Sequence, residues 1–547
     1  MDADAIAFPT LSADDIAALD AVGTRRTIAV GDYLFRDGDT TYDFYVLISG
    51  AVDIVVGAGR DEQIVARHGP GRFLGELNLL TGQRVFVSAR VTEPGEVIVV
   101  PAAALRHILA TSPGLGDLIL NALIARRSQL VTGAAAAIRL VGSRFSPESL
   151  RLREFLSRNR IPNQWLDPEA GDEVAALLRD ANLTPADLPA VFVSGTVLRR
   201  PTLGELASYL GLTLDSIPER QFDLVVVGGG PAGLAAAVYG ASEGLQTLLL
   251  ERTAVGGQAA SSSRIENYLG FPTGIAGGDL TMRALVQAEK FGARVTSPCS
   301  ATELSEQGGH LVVGLSDGTE VAARAAIAAS GARYRRLRIP RLEEFEGRGV
   351  YYAATELEAR ICGKSPVVVV GGGNSAGQAG LFLAERGSQV TFAIRRALNE
   401  TMSSYLVDRI IENPSIEVRT GTQVTALKGD DLLSAVQLAG PGGDALVPCL
   451  ALFSFIGADP ASEWLCGCAR LDEHGFVLTD RAMDPEQLGA EWQVVGRQPL
   501  PFETSRPGLF AVGDVRSGST KRVAAAVGEG SAAVRSVHEY LAFRHSP

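Results

Sequence analysis

The stretch DLVVVGGGPAGLAAAVYGASEGLQTLLLE, from Asp223 to Glu251, constrains the fold most strongly. It starts with an apolar run typical of a buried parallel strand, and a helix is predicted over Leu234–Ser242. Between them are three glycines in GxGxxG spacing: Gly228, Gly230 and Gly233. They let the backbone turn tightly and approach a pyrophosphate at a helix N-terminus. A second strand ends at Glu251, where an acid can bind a ribose hydroxyl. The stretch predicts a dinucleotide-binding βαβ unit.

A second fingerprint follows the predicted strand Pro366–Val370. A helix is predicted from Gly377 to Arg386. The turn residues between them are candidate cofactor ligands: Gly371, Gly373, Asn374, Ser375 and Ala376. The next strand ends in Arg395-Arg396 rather than an acid, and two arginines suit a 2′-phosphate, which favours NADPH over NADH. The alternative is that both arginines are merely solvated surface residues.

Length and composition restrict the domain number, the partners and the location that this chain can have. With 547 residues, the chain is expected to hold about three to five domains. The net charge of −12 argues against nucleic acid as the main partner. The N-terminus lacks an apolar signal-peptide core and no apolar run reaches membrane-spanning length, so we expect no membrane association and a cytoplasmic location. The five cysteines are Cys299, Cys362, Cys449, Cys466 and Cys468. They contain no CxxC pair, and no metal site is predicted.

Residues 20–110 alternate apolar and polar residues with frequent turns, which predicts a β-roll. Residues 113–135 predict its closing helix, and the whole domain is expected to span residues 1–136. The segment GRFLGELNLLTGQR resembles the phosphate cassette of the cyclic-nucleotide-binding domain. The resemblance implies that Glu76 binds a ribose hydroxyl and that amides near Gly75 meet the phosphate. The family's arginine position is Val85 here, and Arg84 stands one residue early. A buried phosphate without its cation loses a strong contact. A nucleotide site and a ligand-free docking roll therefore both stay open.

Residues 137–217 have a β-α-β-α-β order that resembles a thioredoxin or glutaredoxin fold. The family's two cysteines correspond to Ser146 and Ser149, and serine supplies no thiolate at neutral pH. Pro189 matches the position of the family's cis-proline. We expect this unit to serve docking or domain spacing rather than dithiol exchange.

From Gln221 onward, the chain resembles the low-molecular-weight thioredoxin reductases. The resemblance implies an α/β flavoprotein with FAD and NADPH Rossmann-like domains, preceded here by the β-roll and the thioredoxin-like unit, and a homodimer as in the family. It implies FAD-binding residues over 221–340 and 458–547 and an NADPH domain over 341–457. Further residues implied to bind FAD are Gly257, Gln258, Asn267, Gly513, Asp514, Arg522 and Val523.

The family's catalytic frame, GV-x-x-CATC, corresponds to residues 349–356, where Ala353 and Glu356 replace the cysteines. No catalytic residue is therefore assigned. The sequence favours an FAD-dependent oxidoreductase that takes hydride from NADPH and passes electrons to an external acceptor: a ferredoxin-like protein, a quinone or a small molecule. Two alternatives stay open, a flavin-dependent sensor or assembly protein and a true thioredoxin reductase.

Overall fold

This computed structural model describes residues 3–57, 62–81, 83–132, 138–143, 146–169, 172–213, 219–262, 264–430, 432–483, 488 and 490–543. The last residues of the predicted closing helix, 133–135, and the predicted boundaries at 136, 137 and 217 lie outside these ranges. Within the described ranges, no helix combines the length and apolarity needed to cross a bilayer.

The N-terminal roll comprises residues 3–132. Its elements are α1 (Ala3–Ala7), α2 (Ala13–Asp20), β1 (Thr24–Ile28), β2 (Tyr33–Phe35), β3 (Phe44–Val56), β4 (Gln63–His68), β5 (Phe73–Leu74), α3 (Asn78–Thr81), β6 (Ser88–Val100), α4 (Ala102–Thr111) and α5 (Pro113–Thr132). The sheet has the order β1-β6-β3-β4, with β2 on β6 and β5 on β3, and every pairing is antiparallel. The predicted roll is confirmed. Helices α4 and α5 pack one apolar face on it, through residues such as Leu105 and Leu109.

The small α/β unit follows, over residues 138–213. Its elements are β7 (Ile138–Val141), α6 (Pro147–Arg158), β8 (Asn163–Leu166), α7 (Asp172–Asp180), β9 (Ala190–Val193), β10 (Thr196–Arg199) and α8 (Leu203–Tyr209). The strand order is β10-β9-β7-β8, with β7 and β8 parallel and the other pairs antiparallel. The peptide bond before Pro189 is cis. This topology supports the thioredoxin-like interpretation, which stays a prediction; the edge strand β10 was not predicted.

The first dinucleotide unit begins at residue 221. Its first part contains β11 (Gln221–Val227), α9 (Pro231–Ser242), β12 (Thr247–Leu250), α10 (Gly277–Lys290), β13 (Arg294–Thr296), β14 (Ala301–Gln307), β15 (His310–Leu315), β16 (Glu320–Ala328) and β17 (Ala332–Tyr334). Helix α9 starts three residues before the predicted Leu234 because Pro231 occupies its first turn, where a missing amide proton costs nothing.

The second dinucleotide unit spans residues 342–454. Its elements are α11 (Leu342–Phe345), β18 (Val350–Tyr351), α12 (Glu356–Cys362), β19 (Val367–Val370), α13 (Asn374–Glu385), β20 (Val390–Ala393), α14 (Ser404–Ile411), β21 (Ile416–Arg419), β22 (Gln423–Gly429), β23 (Leu433–Gly440), β24 (Gly443–Pro448) and β25 (Ala451–Ser454). A parallel sheet of order β18-β25-β19-β20-β21 forms its centre, and β22-β23-β24 form an antiparallel sheet beside it.

The chain then returns to the first unit with β26 (Ala458–Pro460), α15 (Ala490–Val495), β27 (Leu509–Ala511) and α16 (Val523–Phe543). Strand β27 joins the sheet β13-β12-β11-β16-β15-β14 by pairing with β16 in parallel, and β26 pairs with β17. The carboxyl ends of β11, β12 and β27 thus meet at one edge, where ligands bind in open parallel sheets. The two predicted Rossmann-type units are confirmed; the residue boundaries stay a proposal.

The four units pack against one another through apolar and ionic contacts. Val286 of α10 lies in one core cluster with α4 and α5 of the roll. Phe86 of the roll lies in the core of the small α/β unit. An ion pair of 2.8 Å joins Arg409 Nη1 of α14 to Glu266 Oε2 of the first dinucleotide unit. Side-chain contacts with a neighbouring unit therefore orient each of the four units.

Candidate active site

The first fingerprint forms the turn between β11 and α9. Gly228 has φ of +113°, and a Cβ there would lie 2.2 Å from the Ala329 carbonyl oxygen. A Cβ on Gly233 would lie 1.8 Å from the Gly228 carbonyl oxygen. Real side chains cannot occupy either position without moving backbone, so the glycines are required by close approach of strand, turn and helix. Gly230 is the N-cap of α9, whose first amides point out of the turn.

Glu251 follows β12 and is fixed to this turn. Its Oε2 accepts a hydrogen bond from the Gly229 amide at 2.7 Å, and its Oε1 accepts one from the Thr253 amide at 2.9 Å. A carboxylate has about four acceptor positions. The two bonds orient the carboxylate and leave acceptor capacity, and its binding of a ribose hydroxyl stays a prediction.

These residues open into a cavity of about 620 Å³, the dinucleotide cavity. Its wall brings together many of the residues that the sequence assigned to cofactor binding: Gly228, Gly230, Glu251, Gly257, Gln258, Ser375, Gly513, Asp514, Arg522 and Val523. Gln258 is held by donation of its side-chain amide to the Ala332 carbonyl oxygen. The wall also contains Ala353 and, from the second unit, Gln378 and Phe455. One cavity therefore combines the first fingerprint with the start of the second.

The Gly513–Asp514 turn is positioned by Glu529, which the sequence did not single out. Glu529 Oε2 accepts from the Gly513 amide at 2.7 Å, and its Oε1 accepts from Arg516 Nη2 at 2.7 Å. Burial raises the pKa of Asp514, partly offset by Lys521. Lys521 Nζ donates to the Asp514 carbonyl oxygen at 2.6 Å. Glu529 lies in the second turn of α16, and no local motif identifies such a long-range support.

The second fingerprint forms the turn between β19 and α13. Gly371 has φ of +132°, and a Cβ there would lie 2.3 Å from the Phe455 carbonyl oxygen. Gly373 is the N-cap of α13, and Ala376 is fully buried at the third glycine position. Asn374 exchanges hydrogen bonds with Ser403, donating to its Oγ at 3.0 Å and accepting from its amide at 2.7 Å. Asn374 thus fixes the fingerprint turn to the start of α14.

Arg395 and Arg396 follow β20 and are both exposed. Arg396 Nη1 lies 3.8 Å from Glu400 Oε2, a long and exposed ion pair. Among the residues that the structure describes, Arg395 has no ion-pair or hydrogen-bond partner. Neither arginine contributes to the dinucleotide cavity, in agreement with a role toward a cofactor bound on the second unit.

The frame that holds cysteines in thioredoxin reductases leaves β18 and enters α12. Ala353 and Ala354 line the dinucleotide cavity, and Glu356 is the first residue of α12. The wall of the cavity at this point is thus made of methyl groups. Ala353, one of the two positions that hold cysteine in thioredoxin reductases, therefore faces the cavity.

The structure does not place Asn267 in the wall of the dinucleotide cavity, and its role near the flavin stays a prediction. Asn267 is exposed, and the neighbouring Leu269 is 93% exposed. Glu266, one residue earlier, is paired with Arg409 of α14. The loop is therefore held against the second dinucleotide unit instead of lining the cavity.

In the roll, the cassette residues occupy different environments. Gly75 has φ of +156°, and its carbonyl accepts from Arg126 Nη1 of α5 at 3.0 Å. Glu76 is 6% exposed, its Oε2 has no hydrogen-bond partner within the described ranges, and burial raises its pKa despite Arg127 and Arg126. An orphaned buried carboxylate oxygen is compatible with a missing hydroxyl ligand.

Val85 and Arg84 point in opposite directions. Val85 is fully buried in the roll core. Arg84 Nη1 donates to the Gly38 carbonyl at 2.8 Å, and its guanidinium carbon lies 4.7 Å from the Tyr209 ring centroid. Tyr209 belongs to the small α/β unit, so Arg84 is engaged at the interface between units. Arg84, a candidate nucleotide ligand in the sequence, is drawn toward Tyr209 by cation–π stacking, and its role toward a nucleotide stays a prediction.

The residues of the dinucleotide cavity fit FAD. The turn at Gly228 and Gly233 has no room for side chains, which is the cradle that a pyrophosphate needs. Glu251 is oriented for a ribose, and Asp514 and the N-terminus of α16 lie in the same wall. Backbone amides at a helix N-terminus favour negative charge. The donor set suits an adenine dinucleotide with its pyrophosphate at α9.

Comparisons with known proteins agree with this geometry. Residues 222–530 match the family model described as pyridine nucleotide-disulphide oxidoreductase, and residues 25–112 match the cyclic nucleotide-binding domain. The chain is 33% identical over 327 residues to a thioredoxin reductase of Treponema pallidum, covering 59% of this chain and 98% of that protein.

Two solved thioredoxin reductases superimpose on 59% of this chain and 99% of theirs. The Lactococcus lactis enzyme, in its FR conformation, gives a TM-score of 0.53 at 30% identity, and the T. acidophilum enzyme gives 0.52 at 27%. Thioredoxin reductases use FAD and NADPH, the cofactors that the sequence predicted. The chain belongs to the pyridine nucleotide-disulphide oxidoreductase family: it is a thioredoxin reductase-like oxidoreductase with an N-terminal cyclic nucleotide-binding domain.

Proposed function

We propose that this protein is an FAD- and NADPH-dependent reductase that passes electrons to an acceptor other than an internal dithiol. Bound FAD would supply the two-electron carrier between nicotinamide and acceptor. The chain's own residues hold its ribose through Glu251 and its pyrophosphate at the α9 turn. The observation that supports the proposal is Ala353, which lines the dinucleotide cavity where the related reductases have a cysteine.

Three of the five cysteines are poorly suited to replace the dithiol. Cys299, Cys362 and Cys449 are buried, and burial raises the pKa of each thiol to about 12. Such thiols are protonated at neutral pH and are poor nucleophiles. Cys299 lines the dinucleotide cavity as a single thiol. Cys466 is exposed, and Cys468 contacts the Leu304 carbonyl oxygen at 2.8 Å.

NADPH is proposed over NADH because Arg395 is exposed and unengaged beside the second fingerprint. An arginine fork binds a phosphate through charge-assisted hydrogen bonds. Arg396 adds a second cation whose nearest carboxylate, Glu400, lies 3.8 Å away.

For the roll we propose weak cyclic-nucleotide binding at most. Glu76 can bind a ribose hydroxyl, but the phosphate position has the buried Val85, and Arg84 stacks on Tyr209. In the small α/β unit, Ser146 caps α6 by accepting from the Ser149 amide, which supports a structural role. Homodimer formation and a cytoplasmic location stay predictions.

An acceptor panel tests the proposal. The full-length flavoprotein would be assayed with NADPH and, in turn, ferricyanide, a naphthoquinone, a ferredoxin, and thioredoxin coupled to insulin. We expect turnover with at least one of the first three and background rates with thioredoxin. Efficient thioredoxin reduction by a variant in which Cys466 and Cys468 are replaced by serine would refute the proposal.

A further inference from the structure

A second cavity of about 640 Å³, the junction cavity, lies where all four units meet. Each unit contributes to its wall, including Arg127 of α5, Leu150 of α6, Glu289 of α10 and Tyr351 of β18. Its volume is in the range of sites for small organic ligands, about 300–1,000 Å³. A folded protein cannot enter a space bounded by four units, so an occupant of this cavity is a small molecule.

The junction cavity shares a wall with the dinucleotide cavity. Gln258, Tyr334, Tyr352 and Ala353 line both. The rings of Tyr334 and Tyr352 are stacked, with centroids 6.2 Å apart and an interplanar angle of 11°. The shared wall therefore includes Ala353, a position at which thioredoxin reductases have a cysteine. The junction cavity thus lies where electrons would otherwise enter a dithiol.

The rest of the wall combines apolar surface with four acids and three arginines: Glu154, Glu289, Glu346, Glu358, Arg127, Arg158 and Arg160. Glu154 pairs with Arg158, Glu346 pairs with Arg336, and Glu358 accepts from the Thr355 amide, whereas Glu289 is the buried acid. Leucine, methionine and tyrosine side chains form much of the surface: Leu77, Leu150, Leu212, Met282, Leu285 and Tyr351. Glu289 is 6% exposed, and within the described ranges its Oε2 has no hydrogen-bond partner. An unsatisfied buried carboxyl oxygen in a cavity wall indicates a ligand group or water that is hydrogen-bonded there.

The charged groups facing Glu289 are Arg106 of α4 and Arg127 of α5, on the roll side. Burial nevertheless raises the pKa of Glu289 to about 8. The acid is then protonated at neutral pH and can donate a hydrogen bond to a carbonyl oxygen. A neutral donor beside apolar and aromatic side chains suits a planar compound with carbonyl groups.

We propose that the junction cavity binds the electron acceptor, and that this acceptor is a quinone. The inference rests on the proposed function and names its substrate class. The reaction is balanced as NADPH, one proton and quinone giving NADP⁺ and quinol. NADPH supplies two electrons and one proton, and the second proton comes from solvent. Glu289 orients one quinone carbonyl by donating a hydrogen bond to it.

The test uses the full-length flavoprotein and menadione, a naphthoquinone. Leu150→Trp fills the junction cavity from α6, at a half-buried position outside the core of the small α/β unit. The control, Arg151→Trp, places the same ring on the exposed side of α6. Calorimetry on oxidised protein without NADPH measures binding apart from turnover. We expect Leu150→Trp to weaken menadione binding at least about tenfold and Arg151→Trp to leave it unchanged.

A second variant, Glu289→Gln, keeps a donor at the same position. In the native protein, menadione affinity should fall as the pH rises through about 8, the pKa of Glu289. In Glu289→Gln that dependence should disappear. The control Arg151→Trp should reduce both menadione and ferricyanide at the native rate.

The outcomes separate the two proposals. If NADPH fails to bleach the flavin of the native protein, the proposed function is wrong. If it bleaches the flavin and ferricyanide turns over, but Leu150→Trp and Glu289→Gln both bind and reduce menadione as the native protein does at every pH, the cavity assignment alone is refuted.

Discussion

Replacement of Arg395 by alanine tests the origin of the NADPH preference. Arg395 is exposed at the end of β20 and has no partner within the described ranges, so its removal breaks no protein contact. A hydrogen bond to a charged group contributes about 1.5–3 kcal/mol, and solvent exposure favours the lower value. A loss of about 1.5 kcal/mol corresponds to about a tenfold rise in the KM for NADPH.

Steady-state kinetics with both nicotinamides separate this effect from damage to the fold. NADH lacks the 2′-phosphate, so its kcat/KM should be unchanged in Arg395→Ala. Arg360→Ala, an exposed arginine in the last turn of α12, is the matched control and should alter neither cofactor. Glu400→Gln removes the carboxylate 3.8 Å from Arg396 and should improve NADPH use by less than about fivefold. Equal losses with NADPH and NADH in Arg395→Ala would refute the assignment.

Four further outcomes are expected. In Gly233→Ala, the new Cβ would lie 1.8 Å from a backbone oxygen, so this variant should lose its flavin. In the control Gly528→Ala, in α16, the new Cβ meets nothing within 4 Å, so this variant should retain full flavin. The flavin absorbance of the purified proteins measures both outcomes. Glu289, whose folded-state pKa of about 8 exceeds its usual 4.5, stabilises the protein most below pH 4.5, and this stabilisation is lost as pH rises through about 8. In denaturant titrations, the free energy of unfolding of Glu289→Gln should therefore decline less with rising pH than that of the native protein. Cyclic AMP and cyclic GMP should bind at least about ten- to a hundredfold more weakly than to domains with the phosphate arginine, because Val85 offers no cation; submicromolar affinity in calorimetry would contradict this. Insulin reduction through thioredoxin should stay at background, because the dithiol frame contains no cysteine.

Local patterns predicted the elements that depend on nearby residues. The βαβ units were identified because their apolar strands, glycine turns and helices are contiguous, and the fingerprint glycines lie where close backbone approach requires them. Strand β10 was missed because Thr196–Arg199 is short and half exposed, which gives little apolar alternation.

Some contacts depend on partners distant in sequence and could not be read from local patterns. The loop of Asn267 is held by the pair of Glu266 with Arg409. Arg84, one residue before the family's arginine position, stacks on Tyr209 of another unit. Glu289 looks like an ordinary helix acid, and it is buried only because the roll packs on α10. No local pattern encodes such contacts.

Anaerobic titration with NADPH tests the central claim, that electrons leave the cofactor without an internal dithiol. Each NADPH delivers two electrons, and FAD accepts two. The account predicts that about one equivalent of NADPH per bound FAD completes the bleaching of the visible flavin absorbance, with no increase in titratable thiols. A requirement for about two equivalents, with two new thiols per chain, would show a redox-active disulfide and contradict the account.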